Sequence, residues 1–124
     1  MEPTLRNPAR ERLVLMLETP QATANAPPIA AVPGIDSLLI GTSDLSMELG
    51  ISDQFVDDRI FDAYRTVVEA CNADRKIAGI GGVSEESLMR RHIGMGVRLV
   101  PGGGDLGFMI AAATERAKLL RDCR

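Results

Sequence analysis

Tryptophan is absent from this chain, and its aromatic residues amount to one tyrosine and three phenylalanines in 124 residues. A surface that stacks nucleobases or sugar rings needs more aromatic area than that. No stretch gathers Lys and Arg, and the formal net charge is −3. Nucleic acid and anionic membrane are therefore not expected partners. No apolar run approaches the roughly 18 residues of a membrane span. No charged-then-apolar leader opens the sequence, so a cytoplasmic location is expected. The two cysteines, Cys71 and Cys123, stand alone on predicted helices and form neither a disulfide framework nor a metal motif. With a single histidine, His92, no Ser/His/Asp or Cys/His set assembles. His92 falls within a predicted helix beside Arg90 and Arg91 and reads as a surface or packing residue.

What is present is ordinary for a globular domain: 45% apolar and 25% charged residues. The length suits one domain with a real core. After a polar N-terminal arm over residues 1–12, the segment 13–124 alternates short apolar runs with helical patterns. Leu13–Leu17 is a continuous apolar run and Ile35–Ile40 an almost wholly apolar one, as in strands buried on both faces. Ile77–Val83 is a third strand, weakened by glycines, and Val97–Val100 a fourth, closed by Pro101. Thr19 and Pro20 suit the cap and first residue of a helix. The pair Pro27-Pro28 predicts a break, with a second helical piece starting near Pro28. Leu45–Leu49 suits a short helical turn. Asp57 or Asp58 opens the strongest helix, whose positions Ile60, Phe61, Tyr64, Val67, Val68 and Cys71 form one apolar stripe. A further helix begins at Ser84–Ser87 and ends around Gly94–Gly96. Asp105 is a candidate N-cap for the last helix, which runs to about Leu120. Strand and helix alternating four times is the pattern of a parallel sheet. Half of a (β/α)8 barrel and a small doubly wound sheet fit that count equally well.

Three acidic residues follow strands: Glu18, Asp44 and Asp105. If the first two strands are neighbours, their tips lie about 4.8 Å apart, and Glu18 and Asp44 face one small volume. Two carboxylates with open positions suit a hard divalent cation such as Mg²⁺ or Mn²⁺. The plain alternative is that each acid caps the next helix. Gly102–Gly104 before Asp105 can cradle a phosphate, but no GxGxxG or Walker pattern is present, and a capping turn explains it as well.

The segments LVLMLETPQA at 13–22, VPGIDSLLIGTSDLSMELGI at 32–51, KIAGIGG at 76–82 and GVRLVPGGGDLGFM at 96–109 resemble the C-terminal half of the HpcH/HpaI aldolase/citrate lyase family. The resemblance covers nearly everything after Arg12. It implies the fold class α/β, as the C-terminal half of a TIM (β/α)8 barrel with four parallel βα units. It implies a class II, metal-dependent aldolase that cleaves 4-hydroxy-2-oxo acids to pyruvate and an aldehyde. Carried over by position, Glu18 and Asp44 would be the protein ligands of Mg²⁺ or Mn²⁺. The turn Thr42, Ser43 and Asp44 would hold the pyruvate carboxylate.

Three departures stand out. The motif of the family usually has proline where Thr42 stands, the Pro27-Pro28 pair is unusual for the helix, and the arginine and acid/base histidine of the family's N-terminal half have no match here. The catalytic acid/base is therefore unassigned. A fragment, or a half-barrel that pairs with a second copy or a complementing barrel half, is expected. The competing readings are a non-catalytic module that binds metal and 2-oxo acids, and a citryl-CoA or malyl-CoA lyase.

Overall fold

The computed structural model describes residues 11–123, so the arm expected over residues 1–12 lies almost wholly outside the described residues. The order of elements is β1 (Val14–Leu17), α1 (Pro20–Ala24), α2 (Ala26–Ala30), β2 (Ser37–Gly41), α3 (Thr42–Glu48), α4 (Asp58–Ala73), β3 (Ile77–Gly81), α5 (Glu86–Met95) and α6 (Asp105–Asp122). The three strands form one parallel sheet in the order β1-β2-β3. Among the described residues no helix is long and apolar enough to cross a membrane.

Local chemistry accounts for most boundaries. Thr19 caps α1, its hydroxyl accepting the Ala22 N–H at 3.1 Å, and Pro20 is the first helical residue. The proline break comes earlier than expected: α2 begins at Ala26, ahead of Pro27 and Pro28. Proline is tolerated in a helix's first turn, where amides have no intrahelical acceptor, so the new helix starts just before the pair. α3 also starts early, at Thr42 directly after β2 rather than at Leu45. Asp57 caps α4 through the Arg59 N–H at 2.9 Å. Its expected stripe is buried along its whole length, from Ile60 to Cys71. Glu85, not Ser84, caps α5 by accepting from Ser87 and Leu88. Asp105 is not a cap. Gly104 holds that position in extended backbone, and Asp105 is the first helical residue, where its charge faces the helix's positive end.

The fourth strand does not form. Leu99 makes one isolated parallel bridge to Gly79, with its N–H on the Ala78 carbonyl and its own carbonyl accepting from Ile80. The next ladder bond would need an N–H at position 101, and Pro101 has none.

Alternation along the strands divides the sheet into two faces. Leu17, Leu38, Ile40, Ala78 and Ile80 join the core beneath α4, with Phe61, Tyr64 and Val67. The opposite face carries Val14, Met16, Ser37, Leu39, Ile77, Gly79 and Gly81 by register. Among the described residues α4 lies on the other face; here Val14, Met16 and Ile77 are exposed, while Ser37 and Leu39 in the central strand are buried. Leu39 lies across the glycines of β3; a Cβ on Gly79 would meet its side chain at 3.2 Å and one on Gly81 at 3.0 Å.

Candidate functional site

At the C-terminal end of the open face the chain turns from β2 straight into α3. Glu18, one residue past β1, continues the outward alternation of Val14 and Met16. Asp44 is the third residue of α3. Gly41 lies between them. A Cβ on Gly41 would stand 2.9 Å from Glu18 Cγ, 3.1 Å from Glu18 Oε1 and 3.5 Å from Asp44 Oδ2. Both carboxylates therefore converge on the space this glycine leaves empty, as the pairing of neighbouring strand tips predicts. Any side chain at position 41 would fill it.

Glu18 is half-buried and Asp44 exposed; two carboxylates aimed at one volume repel each other, and a cation between them removes the repulsion. Their oxygens are hard donors, the kind that Mg²⁺ or Mn²⁺ takes. No group of three or more His, Cys, Asp or Glu side chains suited to a metal occurs among the described residues. A cation held by Glu18 and Asp44 would keep its other positions for water and substrate oxygens. The donor set and the glycine cradle fit such an ion. Asp105 does not join the pair; its carboxylate accepts the Leu106 N–H at 2.8 Å in an exposed turn.

The turn after Gly41 is anchored from below. Thr42 is fully buried, and its hydroxyl donates to the Gly81 carbonyl at 2.6 Å. That bond takes its only proton, so the Tyr64 hydroxyl, 2.7 Å away, donates to Thr42 Oγ1. Burial raises the Tyr64 pKa, which keeps the phenol a donor. Ser43 is half-buried against the exit of β3, where a Cβ on Gly82 would stand 2.9 Å from its Oγ. Gly82 has φ +78, a backbone state that favours glycine. The Thr42 side chain is thus occupied in the fold, and what the turn offers a ligand is backbone. No side chain caps the first turn of α3, whose amides have no intrahelical acceptor.

His92 is part of the core, stacked at 4.1 Å between ring centroids on Tyr64 and 5.3 Å on Phe61. Neither ring nitrogen has a hydrogen-bond partner among the described residues. Burial, and then the charge of Arg91, lower its pKa to about 4. This is a packing residue, consistent with the sequence reading. Cys71 is buried and Cys123 exposed, both as free thiols.

Sequence reasoning missed Gly41 and Tyr64. Gly41 reads as a strand terminator, and nothing local shows that two carboxylates meet above it. Tyr64 reads as one more member of an apolar stripe. The available signal was that a buried phenol requires a hydrogen-bond partner.

Residues 4–112 match the profile of the HpcH/HpaI aldolase/citrate lyase family. The chain belongs to this family. It is 35% identical over 101 residues to a hydroxypyruvate/pyruvate aldolase of Delftia acidovorans, covering 82% of this chain and 37% of that protein. It is 38% identical over 71 residues to a 4-hydroxy-4-methyl-2-oxoglutarate aldolase of Hapsidospora irregularis, covering 57% and 26%. Among solved structures it superposes on an HpcH/HpaI aldolase/citrate lyase family protein of Burkholderia cenocepacia with a TM-score of 0.78 at 23% identity. That match takes in 91% of this chain and 44% of the other. The chain thus spans less than half the length of these relatives, and its parallel α/β sheet is part of the TIM barrel of HpcH/HpaI aldolases.

Proposed function

We propose that this HpcH/HpaI chain carries the cation and 2-oxo acid portion of an aldolase site. The reaction class is retro-aldol cleavage of a 4-hydroxy-2-oxo acid to pyruvate and an aldehyde, or the reverse addition. The convergence of Glu18 and Asp44 over Gly41 carries this reading. Glu18 and Asp44 hold Mg²⁺ or Mn²⁺. When bound, such an ion polarises the keto oxygen and offsets the charge of the pyruvate enolate. The backbone of Thr42, Ser43 and Asp44 receives the substrate carboxylate, as amides at a helix start accept an anion.

The proton-transfer part is not supplied by these residues. His92 is buried with both nitrogens inside the core, so it does not reach a substrate. General acid–base catalysis contributes about 10²–10⁴-fold, and the isolated chain is expected to turn over slowly by that margin. This favours, as the second reading, a module that binds cation and 2-oxo acid and depends on a complementing barrel half, or a second copy, for catalysis.

Calorimetric titration with Mn²⁺ tests the site. Asp44→Asn should weaken binding more than Asp105→Asn; equal effects would remove Asp44 from the ligand set. Pyruvate release from a 4-hydroxy-2-oxo acid, with Mn²⁺ and with EDTA, separates the readings. Fast, EDTA-sensitive turnover by the purified chain would contradict the dependent module.

A further inference from the structure

Tyr64 is buried in the middle of α4, yet its hydroxyl reaches the far end of β2. It donates to Thr42 Oγ1 at 2.7 Å, and Thr42 donates onward to the Gly81 carbonyl at 2.6 Å. Three elements meet in this relay: the covering helix α4, the first residue of α3 and the last residue of β3. Thr42 lies between Gly41, above which the carboxylates converge, and the half-turn that carries Asp44. The His92 ring lies tilted against Tyr64, 4.1 Å between centroids.

We infer that Tyr64 is a positioning residue for the Glu18–Asp44 site, acting through Thr42 to fix the turn from which Asp44 projects. The inference rests on the cation reading above and extends it to a residue that touches neither carboxylate. A proline at position 42 would fix the same turn by another means. Proline fixes φ by its ring and needs no hydroxyl partner. Gly41 has φ −79 and ψ 91, outside the helical region that a following proline disfavours, and position 42 opens a helix, where proline is favoured. Thr42 instead holds the turn by side-chain hydrogen bonds, and so makes it dependent on Tyr64.

The test is a set of variants of the full chain: Tyr64→Phe, Thr42→Val, Thr42→Pro, the double variant Thr42→Pro/Tyr64→Phe, and Phe61→Leu as a core control without the relay. Two properties are read: Mn²⁺ affinity, and metal-free amide hydrogen exchange at Leu45 and Ser46, which close the first turn of α3. Tyr64→Phe and Thr42→Val should each weaken Mn²⁺ binding about 3- to 10-fold, the range of one hydrogen bond, and speed exchange in that turn. The double variant, with proline fixing the turn and no orphaned hydroxyl, should bind as the unaltered chain does. Phe61→Leu should lower stability without changing Mn²⁺ affinity.

Wild-type affinity and exchange in Tyr64→Phe would overturn the inference. So would a Phe61→Leu variant that loses as much affinity, because the effect would then be general loosening of the core. If the unaltered chain binds no Mn²⁺, the cation reading falls, while the exchange measurement still decides the role of Tyr64. Should Tyr64→Phe fail to fold, Thr42→Val decides the same question.

Discussion

The two faces of the sheet are made from alternate residues of the same strands and have opposite character. On one, Leu38, Ile40 and Ile80 are sealed under α4 with Phe61, Tyr64 and Val67. On the other, Val14, Met16 and Ile77 are exposed, the middle is glycine and Leu39, and the end holds Glu18 and Gly41. Stability resides in the first face, and the candidate chemistry in the second. The link between them is narrow: Tyr64 belongs to the sealed side, and through Thr42 it touches the turn at the open side's tip. The difference teaches that a site can sit on the sheet face away from the packed helix, provided the covered side fixes the strand tips.

If that division is right, truncation on the sealed face has the largest effect. Phe61→Ala should cost about 3–5 kcal/mol in urea unfolding; a loss below about 1 kcal/mol would mean that α4 does not carry the fold. The next effect is pH dependence from His92. Its pKa is lowered from 6.5 to about 4 in the folded chain, so the unfolded chain takes up a proton that the folded one refuses. Stability from this group is complete above about pH 6.5 and is lost as pH falls towards 4, by on the order of 3 kcal/mol. His92→Phe should flatten the slope between pH 6.5 and 4.5; parallel curves would exclude His92 as its source.

Smaller effects are expected on the open face. Gly41→Ala pushes a methyl into the space that Glu18 Cγ approaches at 2.9 Å. Mn²⁺ affinity should fall about tenfold, comparable to losing outer-shell support of a metal ligand, with little change in unfolding. Unchanged affinity would show that the carboxylates need no cleared space. The smallest stability change belongs to Met16→Lys, within about 0.5 kcal/mol for an exposed side chain. The same substitution should nonetheless reduce self-association. β1 is a sheet edge beside an exposed apolar face, which favours pairing with a second copy or a complementing barrel half. Sedimentation showing the unaltered chain as a monomer of about 13 kDa at micromolar concentration would refute that assembly.

The sequence by itself determined the elements whose signals are local. Apolar runs, continuous at Leu13–Leu17 and nearly so at Ile35–Ile40, marked β1 and β2, the 3.6-residue stripe marked α4, and Thr19-Pro20 marked the start of α1. It also placed Glu18 and Asp44 after strands, because a strand's end and the acid beyond it are read from adjacent residues. The fourth strand was misread for a reason visible only in pairing: Val97–Val100 has the right side chains, but the ladder stops where Pro101 should donate. Tertiary structure alone decided the rest. Register set Gly41 between two carboxylates from different strands. Packing gave Thr42 a hydroxyl partner 22 residues away and a carbonyl 39 residues away, and brought both nitrogens of the only histidine into the core. Such facts depend on contacts between residues far apart in the chain, which no local pattern encodes.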